Sequence, residues 1–261
     1  MDYSNHFERI TQTLGEPVDQ IGARHTPAAP DLPPLRSVLA DASSLPREAL
    51  FLGLADDGLP VLLDLFDPIP GPILITADPG AGKTLLLRMI ARASEMLHTP
   101  AQVQYGVVTA KAHEWIQFRA SKTSAGIYSA YDETTSELLK SLVTWAHNNK
   151  GEQQSILLII DGLADIMRLS AQTQQHLRWL LLRGPTRRVW PIITLDAARA
   201  HEMTDWMRFF HTRIFGHIQD PLDAQHVAGA IAQQLQQLIP ASQFSMREGD
   251  KWLTFRAPGI D

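Results

Sequence analysis

Residues 72–84 read PILITADPGAGKT, an apolar run leading into a loop with two glycines, a lysine and a threonine. The run PILIT (72–76) lies between a proline and the loop and predicts a short buried β-strand. Beyond the loop, Leu85, Leu86, Met89, Ile90 and Ala93 recur at helical spacing, so a helix is predicted over 84–97. Between strand and helix, Ala77-Asp78-Pro79-Gly80-Ala81-Gly82-Lys83-Thr84 fits a Walker A phosphate-binding loop with alanine at its first glycine position. Gly80 and Gly82 allow successive backbone N–H groups to turn inward around an anion, at φ values other residues resist. The helix beginning near Lys83 points its positive end at the same anion. Lys83 reaches the outer phosphates, and the Thr84 hydroxyl is placed to coordinate magnesium. The predicted nucleotide-binding residues are therefore Asp78, Pro79, Gly80, Ala81, Gly82, Lys83, Thr84 and Leu85, with ATP and Mg2+ as ligands. The alternative is a glycine-rich turn with an unrelated lysine, and the flanking strand and helix weigh against it.

A magnesium bound this way needs a carboxylate at the end of a neighbouring strand. ILLII (156–160) is five consecutive apolar residues closed by Asp161, the pattern of a parallel strand buried on both faces. Asp161 is thus the predicted partner of Thr84 at the metal, orienting it through water; its alternative role is to cap the next helix. Around these two strands, ALFLGLA (49–55) and LPVLLDL (59–65) flank Asp56-Asp57-Gly58 and predict a hairpin. VQYGVVT (103–109), VWPIITL (189–195), TRIFGHI (212–218) and KWLTFRA (251–257) read as further strands. Helices are predicted over 134–148, 172–183 and near 222–238. Strands alternating with helices predict an α/β fold with a mainly parallel sheet, helices on both faces and the β-hairpin in front.

Composition narrows the function classes. The chain has 261 residues, 44% of them hydrophobic and 20% charged, enough to bury a substantial core. Lys plus Arg total 23 against 28 Asp plus Glu, a net charge of -5, which excludes a uniformly basic nucleic-acid coat but not a local basic groove. With no cysteine there is no disulfide framework, thiolate zinc site or cysteine nucleophile. The histidines are scattered, and neither HEWIQ (113–117) nor HEMTD (201–205) completes HExxH. The start, MDYSNHFERI, is too polar and acidic for a secretory signal, and no apolar run approaches the ~18 residues that cross a bilayer. A soluble cytoplasmic protein is expected. DWMRFF (205–210) reads as core packing, with an exposed partner surface or a DNA-facing loop as the alternatives. Residues 1–45 read as an N-terminal arm: Phe7, Ile10 and Leu14 suit a short helix over 1–14, and the four prolines of TPAAPDLPPL (26–35) suit a linker or strap. Residues 46–261 then form the P-loop ATPase domain.

From about residue 47 to the end, the order of motifs resembles the FtsK/HerA superfamily, ring-forming ATPases that pump DNA. FLGLADDGLPVLLDL followed by PGPILITADPGAGKT is similar to the family's opening hairpin, strand and P-loop. VVTAKAHEW (107–115) resembles its strand ending in Asp-Pro-Lys, with Lys111 at the lysine position, and LLIIDGLADI (157–166) resembles its Walker B stretch. WPIITLDAARA (190–200) stands where the family has a strand ending in Ala-Thr-Gln. HTRIFGHIQDPLDAQHV (211–227) resembles the later Thr-Arg-Ile strand, and EGDKWLTFRAPG (248–259) the closing hairpin. The resemblance implies a RecA-like fold, ATP at the boundaries of a homo-oligomeric ring, and DNA as partner.

Three departures bear on catalysis. Gly162 stands where the family carries the glutamate that polarises the attacking water, help worth ~10²–10⁴ in rate. Asp196 stands at the sensor glutamine, and Thr109 replaces the aspartate of Asp-Pro-Lys. Glu114 is one substitute base, by analogy with the RecA and rotary ATP-synthase branch, or else a solvated loop carboxylate. Asp165 is another, or else a helix-starting residue. Arginine fingers stabilise charge on the transferring phosphate, often from a neighbouring subunit. Arg187, with Arg183 and Arg188 in the turn before strand 189–195, and Arg213 are the candidates, against an exposed basic turn offsetting a helix C-terminus. Two functions compete: an ATPase with Lys83, Asp161, Glu114 and Arg187 in catalytic roles, and a hydrolysis-deficient nucleotide-binding scaffold or regulatory subunit. A small-molecule P-loop kinase would need an arginine-rich lid and an acceptor site, and neither is visible.

Overall fold

The computed structural model describes residues 33–41, 45–149, 154–229, 232–248 and 251–260. The expected helix over 1–14 and most of the proline stretch 26–35 lie outside them. The strands are β1 (Ala49–Ala55), β2 (Pro60–Asp64), β3 (Ile73–Ala77), β4 (Val103–Thr109), β5 (Ser124–Ser129), β6 (Ser155–Asp161), β7 (Val189–Asp196), β8 (Thr212–Phe215), β9 (Gln243–Glu248) and β10 (Lys251–Arg256). The helices are α1 (Leu35–Asp41), α2 (Lys83–Leu97), α3 (Glu133–Asn148), α4 (Leu163–Ile166), α5 (Ala171–Arg183), α6 (Thr204–Met207), α7 (Pro221–Ala228) and α8 (Ala232–Leu235).

All ten strands join one sheet in the order β2-β1-β10-β9-β8-β3-β7-β6-β4-β5. From β8 to β5 every neighbouring pair is parallel, and from β2 to β8 every pair is antiparallel. The result is the expected α/β fold, with the P-loop strand β3 near the middle between β8 and β7. Side chains that alternate along a strand serve two cores. Ile73 and Ile75 of β3 and Leu157 and Ile159 of β6 pack against Leu86, Met89 and Ile90 of α2. Leu74, Leu158 and Ile160 face the other way, onto Leu139 of α3 and Leu177 and Leu180 of α5. Each such fully buried aliphatic side chain stabilises the fold by about 1.5–3 kcal/mol. Covered on both faces, the parallel strands have to be almost continuously apolar, which is why five apolar residues in a row identified β6.

Other elements differ from the expectation for local reasons. Residues 35–41, assigned to the arm, form α1 and place Leu35, Val38 and Leu39 in the same core as β1, so the packed body begins ahead of residue 45. The expected helix near 222–238 is interrupted: Asp220 caps α7 by accepting the N–H groups of Leu222 and Asp223, Pro221 fills the first turn, and Gly229 at φ 71° ends it. Trp206, Met207 and Phe210 are buried, as core packing required, and the Arg178 guanidinium lies 4.7 Å from the Trp206 ring centre.

Candidate functional site

At the end of β3 the chain turns through Asp78–Gly82 and enters α2 at Lys83. Gly80 at φ 79° and Gly82 at φ 95° produce the turn. A Cβ on Gly82 would also stand 2.5 Å from the Ala241 Cα, so glycine is required by both conformation and space. With glycine at the N-cap of α2, no side chain caps the first-turn amides, which remain directed at the loop. Later segments hold the loop. Asp78 N–H donates to the His217 carbonyl at 3.0 Å, Ala241 N–H to the Ala81 carbonyl at 3.1 Å, and Gln219 N–H to Asp78 Oδ2 at 2.7 Å. Asp78 and the buried Ala81 therefore shape the loop from behind, whereas Pro79, Gly80, Gly82, Lys83, Thr84 and Leu85 line a cleft of about 570 Å³.

Thr84 Oγ1 donates to Asp161 at 2.9 Å from Oδ2 and 3.1 Å from Oδ1, and Thr194 Oγ1 donates to Oδ1 at 3.0 Å. The predicted Walker A hydroxyl and Walker B carboxylate thus meet. Thr194 is a third member the sequence did not disclose; it arrives because β7 runs parallel beside β6, pairing Ile193 with Ile160. Burial pushes the Asp161 carboxyl above the ordinary range, against the two threonine hydrogen bonds that lower it, and the nearby Glu114 charge adds to the rise. A carboxyl harder to ionise when folded costs stability as pH rises through the carboxylate range, and the cost vanishes below that range. Asp161→Asn is accordingly expected to melt higher than the wild type at pH 7 without ligand. Thermal unfolding should show the gap closing below the ordinary carboxylate pKa of about 4.

Lys83 is 10% exposed, and its ammonium donates to the Ala77 and Asp78 carbonyls at 2.9 and 2.8 Å. It also pairs with Asp196 Oδ1 at 2.7 Å. The sensor-position aspartate at the end of β7 is therefore the lysine's counter-ion, a contact no sequence pattern announces. Glu114, on a short 3-10 helix after β4, reaches the cleft wall, where it pairs with Lys111 at 3.5 Å. Arg199 lines the cleft too and is paired with Glu202 at 3.0 Å. Gly162 at φ 119° leaves room for Asp165, whose Oδ2 would stand 2.8 Å from a Cβ at position 162, and Tyr131 Oη donates to Asp165 Oδ1 at 3.3 Å.

The arginines expected as fingers lie elsewhere. Arg187 is exposed in the turn ahead of β7, while the cleft lies past the other end of that strand, about 26 Å away for eight residues. Within one chain Arg187 and the loop 78–82 therefore lie at opposite ends of the parallel strands. Arg188 is buried with its guanidinium 3.4 Å from the Phe66 ring centre, and Arg213 donates to the Met207 carbonyl at 2.9 Å.

Two hard oxygen donors, Thr84 Oγ1 and Asp161, suit a magnesium that takes its remaining ligands from phosphate and water. Among the described residues no group of three or more His, Asp or Glu could hold a metal by itself, so the fit is to a metal arriving with its nucleotide.

Compared by sequence, the chain matches no protein-family model and no curated protein. Its structure is similar to the cytoplasmic domain of the Thermomonospora curvata type VII secretion ATPase EccC, with a TM-score of 0.71 and 15% identity over 87% of this chain and 32% of that one. It is similar to EssC (ATPases 2 and 3) from Geobacillus thermodenitrificans, with a TM-score of 0.70 and 17% identity over 91% of this chain and 49% of that one. The monomer form of the pCW3 conjugation coupling protein TcpA with ATPγS gives a TM-score of 0.68 and 15% identity over 88% of this chain and 70% of that one. The chain thus spans less than half the length of the first two. The chain shares its α/β fold with these proteins. No helix among the described residues is long and apolar enough to cross a membrane.

Proposed function

We propose that this chain is a divergent FtsK/HerA-type nucleotide-binding module that holds ATP with Mg2+ at residues 78–85. The observation that carries the proposal is the meeting of Thr84 and Asp161 at 2.9 Å beside the Lys83 ammonium. In it the loop amides and the α2 N-terminus hold the phosphates, Lys83 neutralises them, and Thr84 with Asp161 would hold the metal. Magnesium supplies charge neutralisation at the phosphates when bound. Gly162 makes hydrolysis weak, and Glu114 is the carboxylate closest in role to a base. Arg187, exposed at the far ends of the strands, is proposed as a finger for a neighbouring copy in a homo-oligomeric ring. By resemblance alone, DNA is the translocated polymer and the setting is cytoplasmic.

A hydrolysis-deficient scaffold or regulatory subunit is the second reading, favoured by Gly162 and by the Lys83–Asp196 pair. Single-turnover hydrolysis with and without DNA separates the two. The motor proposal expects product formation that Glu114→Gln slows about a hundredfold, and the scaffold expects tight nucleotide with no product. DNA contact through phosphates expects affinity to fall steeply with added salt; no binding at low salt removes DNA as partner. Absence of nucleotide binding in millimolar Mg–ATP would remove both.

A further inference from the structure

An ammonium group has three N–H donors, and all three of Lys83 are engaged: two by the Ala77 and Asp78 carbonyls and one by Asp196 Oδ1. The carbonyls belong to the last residue of β3 and to the first of the loop that would surround the inner phosphates, and Asp196 belongs to the end of β7, outside that loop. A β-phosphate seated in the loop would take over donors now given to the carbonyls and would leave the Asp196 pair in place. A γ-phosphate, extending outward toward the same ammonium, has to displace Asp196 or sit beside it. Two oxygens that each lie within ~2.9 Å of one nitrogen are at most ~5.8 Å apart, and at that range two like charges repel strongly in a partly buried site.

Solvent reduces the repulsion, since the Asp196 side chain is 42% exposed, and among the described residues no unpaired cationic side chain lines the cleft to offset it. Among the described residues the other two cationic side chains of the cleft are Lys111 and Arg199, paired with Glu114 at 3.5 Å and with Glu202 at 3.0 Å. We propose that Asp196 makes the site selective for a nucleoside diphosphate, so that Mg–ADP binds more tightly than a Mg-bound triphosphate. The proposal rests on the P-loop reading given above and adds the residue that sets the preference.

Calorimetric titration of the full chain with ADP and with AMPPNP, each with Mg2+, tests it in the wild type, Asp196→Asn and Asp196→Gln. The wild type is expected to bind ADP about tenfold or more tighter than AMPPNP. Both variants are expected to gain about tenfold or more for AMPPNP while ADP changes by no more than about threefold. Equal wild-type affinities, or variants that move both nucleotides alike, overturn the selectivity and leave the P-loop reading standing. If neither nucleotide binds any of the three proteins, both fall. Should Asp196→Asn not fold, the wild-type ratio and Asp196→Gln still decide.

Discussion

Lys83→Ala is expected to weaken Mg–ADP binding about a hundredfold. Charge-assisted hydrogen bonds contribute about 1.5–3 kcal/mol each, and about 1.4 kcal/mol is a decade in affinity. The loss has two parts. The phosphates lose their only cation seated inside the loop among the described residues, and Asp196, now 2.7 Å from that ammonium, is left without its counter-ion in the same cleft. Lys83→Ala/Asp196→Asn is therefore expected to recover about tenfold of the loss, because residues in direct contact are coupled rather than additive. Folding should be nearly unaffected, since the pair is open to solvent on the Asp196 side and such pairs contribute about 0–1 kcal/mol. Titration calorimetry with parallel thermal melts measures all three quantities. Wild-type affinity in Lys83→Ala would remove the P-loop from the account.

The segments that were legible are those in which one local pattern determines the structure. The strand, loop and helix from Ile73 to Leu97 were read to within a residue, because apolar period, glycine position and the Lys-Thr pair all point the same way. β6 was legible because a strand covered on both faces has to be continuously apolar. β5 was not: SAGIYS lies at the sheet edge, nearly all of it half-buried, and has no alternation to detect. β9, QFSMRE, is polar at several positions and takes its strand identity from pairing with β10 and β8.

The site divides along the same line. Lys83, Thr84 and Asp161 were named because residue type and local context specify them. Thr194, Ala241 and Arg199 reach the cleft only through strand register and the path of the chain after β8, which no single-sequence pattern encodes. Asp196 shows the same limit: its place at the end of β7 is legible, whereas its pairing with Lys83 at 2.7 Å comes only with the folded chain.

Gly162→Glu, which places a glutamate where the FtsK/HerA superfamily that the sequence resembles carries one, is expected to destabilise the protein without raising turnover. Gly162 sits at φ 119°, a conformation that side-chain-bearing residues rarely adopt, and holding such a residue there costs about 1–3 kcal/mol. For a domain of this size that lowers the melting temperature by roughly 3–10 °C. The new Cβ would also stand 2.8 Å from Asp165 Oδ2, bringing a second carboxylate against one that Tyr131 already holds. Relief requires the Asp165 carboxylate to turn aside, at the expense of its hydrogen bond from Tyr131. Removing the carboxylate in Gly162→Glu/Asp165→Ala takes away the clash but not the backbone cost, so the double variant should regain only part of the lost stability. A glutamate at position 162 is thus opposed by the backbone turn after β6 and by Asp165, and a one-residue change does not accommodate it. Thermal melts and single-turnover hydrolysis of the single and double variants test this together. A Gly162→Glu protein that melts like the wild type and hydrolyses ATP ~10²-fold faster would mean that the turn adapts freely and that the missing side chain alone limits the reaction.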